Sequence, residues 1–116
     1  MGQLATDHLN VAVVRGTITS TPRQRTLPSG DTVTNIEVTT RIEAGACSLP
    51  VVVHDGAPPL EACDEVVVVG RVVRRFFRAG GVTQSRTELV ATRVLRASDR
   101  RGVTRAMRRV IDQLAG

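Results

Sequence analysis

Residues 65–77 read EVVVVGRVVRRFF, and residues 82–96 read VTQSRTELVATRVLR, with Ala79-Gly80-Gly81 between them. The first run is the most apolar of the chain. Val and Phe suit a pleated, half-buried surface, so it reads as a β-strand. Gly70 interrupts its middle, which predicts a bulge or sharp bend where a strand curves around a barrel. Ala79-Gly80-Gly81 reads as a hairpin turn, and residues 82–96 return as the neighbouring strand.

Working outward, residues 9–20 (LNVAVVRGTITS) are a further strand rich in Val, Ile and Thr. Pro22, Pro28 and Ser29-Gly30-Asp31 are breakers and predict a turn region after it. Residues 32–42 (TVTNIEVTTRI) alternate, with Thr34, Ile36, Val38 and Thr40 on the face expected to be buried. Gly45 is expected to break that run, and residues 48–54 (SLPVVVH) form a third strand. The stretch from Asp55 to Asp64, with Gly56 and Pro58-Pro59, reads as a loop with room for one helical turn. Five strands, one central loop and one strongly bent strand predict an all-β fold, a small barrel.

From Asp99 the period becomes helical. Val103, Met107, Val110, Ile111 and Leu114 form one stripe, with Asp99 as N-cap and Gly116 as stop. Gly102 is expected to weaken the first turn. The predicted organisation is a barrel domain over 1–98 and a basic amphipathic helix over 99–116, packed on its own barrel or on a neighbouring subunit. A basic arm on nucleic acid is the sharper reading of that helix.

The chain has 116 residues, a single domain with enough length for its own core. All 16 basic residues are Arg, Trp and Tyr are absent, and Phe76 and Phe77 are the only aromatics. Abundant Val, Ala, Arg and Gly point to GC-rich coding, which accounts for Arg in place of Lys without a functional cause. The net charge is +5, and it is unevenly spread. Residues 1–70 carry four Arg against eight acids, whereas residues 71–109 carry twelve Arg against Glu88 and Asp99. A basic C-terminal third fits a polyanionic partner.

The N-terminus lacks the apolar run of a secretory signal, and no segment approaches a membrane span, so the expected compartment is the cytoplasm, with no membrane partner. Cys47 and Cys63 are expected to be free thiols, buried or half-buried. With His8 and His54 they are too few and ill-spaced for a metal site, and no cofactor is expected. His54 and Asp55 are adjacent on a strand and point to opposite faces, so they form no catalytic dyad. No enzymatic activity is expected.

Several stretches in order resemble the bacterial single-stranded DNA-binding protein family, which has an OB fold. They are Asn10-Val-Ala-Val-Val-Arg-Gly16, then Pro22, Arg25, Pro28 and Gly30 at ungapped spacing, then Val33-Thr-Asn35-Ile-Glu-Val-Thr-Thr40. Val68-Val-Gly70-Arg71 and Glu88-Leu-Val-Ala91 complete the set, so the likeness covers about residues 9–96. The resemblance implies a five-stranded OB barrel with a C-terminal helix. It implies sequence-independent binding of single-stranded DNA in replication, repair or recombination, by a homo-oligomer, either tetramer or dimer. It also places phosphate contacts at Arg25, Arg71 and Arg75 and a base-stacking ring at Phe77. The family's other stacking positions are occupied here by Thr26, Ala44, Leu49 and Asp55, which cannot stack. Its flexible acidic-tipped tail is replaced by the basic helix.

The residues expected to touch nucleic acid are Arg23, Arg25, Arg41, Arg71, Arg74, Arg75, Phe76, Phe77, Arg78 and Arg86. Interleaved basic and aromatic residues serve a strand that meets both phosphates and bases. Strand alternation puts Arg74, Phe76 and Arg78 on one face and Arg75 and Phe77 on the other, so one Phe faces the groove. The plain alternative is a core Phe beneath a rim of solvated Arg. Arginine can also stack on bases, partly replacing the missing rings. The first strand is apolar and unguarded, an edge able to pair with a neighbouring subunit. The competing class is an OB protein-interaction or scaffold module with weak or lost nucleic-acid binding. RNA in place of DNA is a third possibility.

Overall fold

The computed structural model describes residues 7–54 and 58–116. Six strands and one helix follow in order: β1 Ala12–Ile18, β2 Arg23–Thr26, β3 Thr32–Ile42, β4 Gly45–Val53, β5 Glu65–Ala79, β6 Val82–Arg96 and α1 Arg100–Ala115. The sheet order is β1-β5-β6-β4-β3-β2, and β1 also pairs with β3. Five strands therefore close into a barrel, and β2 is a short flap hydrogen-bonded to the outer side of β3. The all-β barrel with a C-terminal helix is as the sequence predicts.

Closure takes place where two glycines permit close approach. A Cβ on Gly16 would lie 2.5 Å from the Thr39 carbonyl oxygen, where β1 passes from β5 to β3. A Cβ on Gly70 would overlap the Val90 carbonyl oxygen, and Leu89 Cδ2 stands 2.6 Å away. The β5–β6 register shifts between Val69 and Gly70, with Thr92 as the extra residue on β6. The irregularity predicted from Gly70 is therefore present, and the additional residue belongs to the partner strand. Asn10 prolongs the β1–β5 seam with its side chain: its Nδ2 donates to the Val72 carbonyl (2.8 Å), and its Oδ1 accepts from the Val72 amide (3.0 Å).

The barrel interior holds Ile18, Ile36, Val38, Val51, Val53, Val66, Val68, Leu89, Ala91 and Val94. These are the alternate residues of each strand, as period-two patterning requires. Val33 and Thr39, on the opposite face of β3, are buried as well. The Thr39 hydroxyl is satisfied by Thr19 Oγ1 at 2.7 Å and Ser48 Oγ at 2.8 Å.

Four local expectations are corrected. First, the predicted turn region after β1 contains β2, because Arg23–Thr26 pair with Thr32–Asn35 and only Leu27–Asp31 turn. Second, Gly45 does not end strand structure. It pairs with Ile42 across a two-residue turn at Glu43–Ala44, and its φ of +135° opens β4. Third, β1 is an edge over part of its length only: Ala12–Thr17 pair with β5, Thr17 and Ile18 also pair with β3, and the open side runs from Ala12 to Gly16. Fourth, Cys47 and Cys63 are free but exposed. Of the central loop, residues 55–57, including Asp55 and Gly56, lie outside the described residues, and Pro58–Asp64 contain a turn rather than a helix.

Helix α1 starts as expected at Asp99, whose Oδ1 accepts from the Gly102 amide at 3.0 Å. Gly102 has a packing role in this turn. It is buried, and a side chain there would collide with the Asp99 carboxylate and with Leu95. Gly102, Ala106 and Val110 are the helix's buried residues, and Ala106 and Val110 pack on Val69 and Leu95, with Val11 beside them. The predicted stripe is thus only partly used. Val103 and Met107 flank the contact, while Ile111 and Leu114 are 61% and 62% exposed. The helix packs on its own barrel through small residues, so its contact face is narrow.

Candidate nucleic-acid interface

Two hairpins project from one end of the barrel. Strands β4 and β6 run parallel and pair only over Val51–Val53 with Leu89–Ala91. Their preceding turns, Glu43–Ala44 and Gly80–Gly81, therefore point the same way. Val51 lies six positions after Gly45 and Leu89 seven after Val82, so each arm extends about 20 Å at roughly 3.3 Å per residue. Gly45–Ser48 and Val82–Thr87 are exposed throughout. At the β5–β6 tip, Gly80 and Gly81 both have positive φ (+58° and +79°), the tight two-residue turn that the glycine pair predicts.

Register decides which side chains share a face, because directly paired residues project to the same side. On β5 and β6, Val73 lies opposite Glu88, Arg75 opposite Arg86 and Phe77 opposite Gln84. The same face continues through Val52 opposite Val90, Asn35 opposite Val52 and Arg23 opposite Asn35, reaching Arg25 two residues on. An open groove results, with Arg25 and Asn35 on one side and the β5 run Val73–Phe77, Arg86 and Glu88 on the other. Arg71 falls on this face by alternation from Val73. Arg41 lies on it too, on the β3–β4 arm opposite Ala46.

Seven of the ten predicted residues thus share one face: Arg23, Arg25, Arg41, Arg71, Arg75, Phe77 and Arg86. The other three, Arg74, Phe76 and Arg78, project by alternation from the opposite face of β5, although Arg74 and Phe76 still border the groove where β5 forms its wall. There the Arg74 guanidinium stands 6.0 Å from the centre of the Phe76 ring. Arg78 donates to the Gly81 carbonyl oxygen at 2.9 Å and so is tied to the turn. Neither Phe belongs to the core, since Phe76 is 68% and Phe77 44% exposed. Of the positions where the resemblance places stacking rings, Thr26 is exposed on β2, Ala44 is at the β3–β4 tip, and Leu49 packs against the core. Asp55 lies outside the described residues.

Sequence reasoning missed the groove's buried acid. Glu88 is 4% exposed, accepts a hydrogen bond from Arg75 Nε, and has Arg86 Nε 4.0 Å from its other oxygen. A carboxylate so buried requires paired charge. Two guanidinium groups from neighbouring strands supply it, and Arg75 is fixed in place in return. The available signal was a lone Glu opening the apolar run ELVA. Asn35 was legible as part of a motif but not as a lining residue. Glu37, exposed two residues along β3, is a second acid on this face.

The twelve arginines of residues 71–109 do not form one surface. Arg71, Arg74, Arg75, Arg78 and Arg86 belong to the arm, whereas Arg100, Arg101, Arg105, Arg108 and Arg109 lie on α1, beyond the opposite end of β6. Arg96 is structural: it donates to the Pro59 carbonyl at 2.8 Å and pairs with Asp64 at 3.3 Å.

No family model and no curated protein sequence matches the chain. Among solved structures, a Plasmodium falciparum SSB in complex with ssDNA is similar, at 17% sequence identity and a TM-score of 0.64. The match covers 83% of this chain and 98% of that one. At this level of identity the likeness is one of fold, and it extends over nearly the whole of the other barrel.

Proposed function

We propose that this protein binds single-stranded DNA without sequence preference, along the groove between the β5–β6 arm and the β2–β3 flap. The observation that carries the reading is the convergence of Arg25, Arg75, Arg86 and the exposed Phe77 ring on one open groove. Arginines track the phosphate backbone, and a ring accepts any base because every base has a π-face. The fold likeness to an SSB described with ssDNA supports the same reading. With one ring, Phe77, projecting from the groove face, charge carries most of the affinity. The work proposed for it is the protection of exposed single strands in replication, repair or recombination.

A homo-oligomer is part of this proposal. The second side of β1 from Ala12 to Gly16 has no strand partner among the described residues, and Val13 beside it is 43% exposed. Both favour pairing with a second copy. A particle mass above the 12.5 kDa monomer is the expected result in light scattering at micromolar concentration, and a monomeric mass would refute this part.

The test of binding is fluorescence anisotropy with labelled dT35 at low and moderate salt, with duplex DNA as competitor. Tight, salt-weakened binding that duplex does not displace is expected. Absence of binding at low salt would overturn the proposal in favour of a protein-interaction module, for which the scarcity of aromatic residues is the supporting observation.

A further inference from the structure

Helix α1 carries a second concentration of positive charge that neither the barrel nor the groove uses. Two adjoining clefts meet along its first turns. One lies between β1 and the helix, where Arg15 faces Arg100 and Thr104. The other runs along the helix and is lined by Arg100, Arg101, Thr104, Arg105 and Arg108. The two share Arg100 and Thr104, and no carboxylate lines either one.

This arrangement is costly to the fold. Arg101 and Arg105 are four residues apart, as are Arg105 and Arg109, and like charges at that spacing repel along a helix. Arg100 and Arg101 occupy the first turn, which contains no acidic residue, and there the helix dipole disfavours cations. None of these arginines forms an ion pair among the described residues. Asp112, on the same helix face one turn beyond Arg108, bridges none of them. Charge placed against local stability, and left unpaired, is charge available to a ligand.

We propose that this patch is a second contact for the phosphate backbone of the same single strand, distinct from the groove and at the far end of β6 from the arm. It rests on the single-strand reading above. Arg101, Arg105 and Arg108 follow each other at about one helical turn (about 5.4 Å) and present a regular row of donors to successive phosphates. Arg15 and Arg100 extend the row onto the barrel. A lipid surface fits less well. The helix's apolar face is spent on Val69 and Leu95, and its exposed Ile111 and Leu114 lie in the last turns, away from the clefts.

The test compares the full chain with the triple variant Arg101→Gln, Arg105→Gln, Arg108→Gln, which keeps good helix formers at solvent positions. Anisotropy with dT35 is recorded across a salt series, and thermal unfolding is followed in parallel. Each phosphate contact adds about 0.7 to the salt slope of a single strand, so the variant's slope falls by about 2 and its affinity near 0.1 M salt by roughly 100-fold. Its thermal midpoint is unchanged or raised, because repulsion has been removed. If the parent binds dT35 and the variant binds with the same slope and affinity, the helix proposal is overturned while the groove reading stands. If the parent does not bind, the groove reading fails and the helix proposal with it. Poly-glutamate binding that the variant loses while dT35 binding is unchanged would assign the patch to an acidic protein partner and overturn the proposal.

Discussion

Replacing Glu88 by Gln separates the two roles of the groove's arginines. In the parent, Arg75 is committed to the Glu88 carboxylate, and Arg86 is held at 4.0 Å from it. Gln keeps the shape and an acceptor oxygen but removes the charge. Arg75 is 54% exposed at its side chain, so losing its partner leaves it in water rather than stranded. The stability cost is therefore that of a partly solvated charged hydrogen bond, about 1 kcal/mol, well short of a broken buried pair. Binding moves the other way. One more guanidinium becomes available to phosphate, the salt slope steepens by about 0.7, and affinity near 0.1 M salt rises about fivefold. Anisotropy with dT35 over a salt series reads the slope, and urea unfolding reads the stability. A slope that stays the same or becomes shallower would refute this reasoning and make Glu88 the residue that aims Arg75 at its target.

Four further outcomes follow from the geometry. Phe77→Ala is expected to weaken dT35 binding by about 1–3 kcal/mol, or roughly 5- to 150-fold, through loss of stacking. Phe76→Ala, on the other face, should leave affinity within about twofold; equal losses would mean that the strand wraps both faces of the arm. Gly70→Ala forces a Cβ into the Val90 carbonyl and is expected to destabilise by about 1–3 kcal/mol or more in urea unfolding. A change below about 0.5 kcal/mol would show that the β5–β6 seam yields easily. Asp99→Ala removes the helix cap and should cost about 1 kcal/mol, read as an earlier loss of helical signal on heating.

Much of the barrel is legible from residue order. The Val-rich run around Gly70, the alternation through Ile36 and Val38, the Gly80-Gly81 turn and the Asp99 cap each specify local conformation through short-range sterics and hydrogen bonding. The resulting elements lie close to where their patterns put them. The misread elements, β2 and the start of β4, have weak local patterns. Arg23–Thr26 is polar and flanked by prolines, and becomes a strand only because β3 offers it a hydrogen-bonding edge. Gly45 reads as a breaker until Ile42 is seen across from it.

The sequence by itself determined the all-β class, the strand that bends, the helical terminus and the list of arginines and phenylalanines able to meet a polyanion. These depend on periodicity two or 3.6 and on residue chemistry, both local properties. Only the tertiary structure decided how that list divides. Register between distant strands puts Arg25 and Asn35 on the same face as Arg75, Phe77 and Arg86, and turns Arg74, Phe76 and Arg78 away. It places Glu88 beneath two guanidinium groups and sends the helix arginines to the opposite end of β6. Pairing partners up to some sixty residues apart, such as Asn10 and Val72, set that register, and no local pattern encodes it.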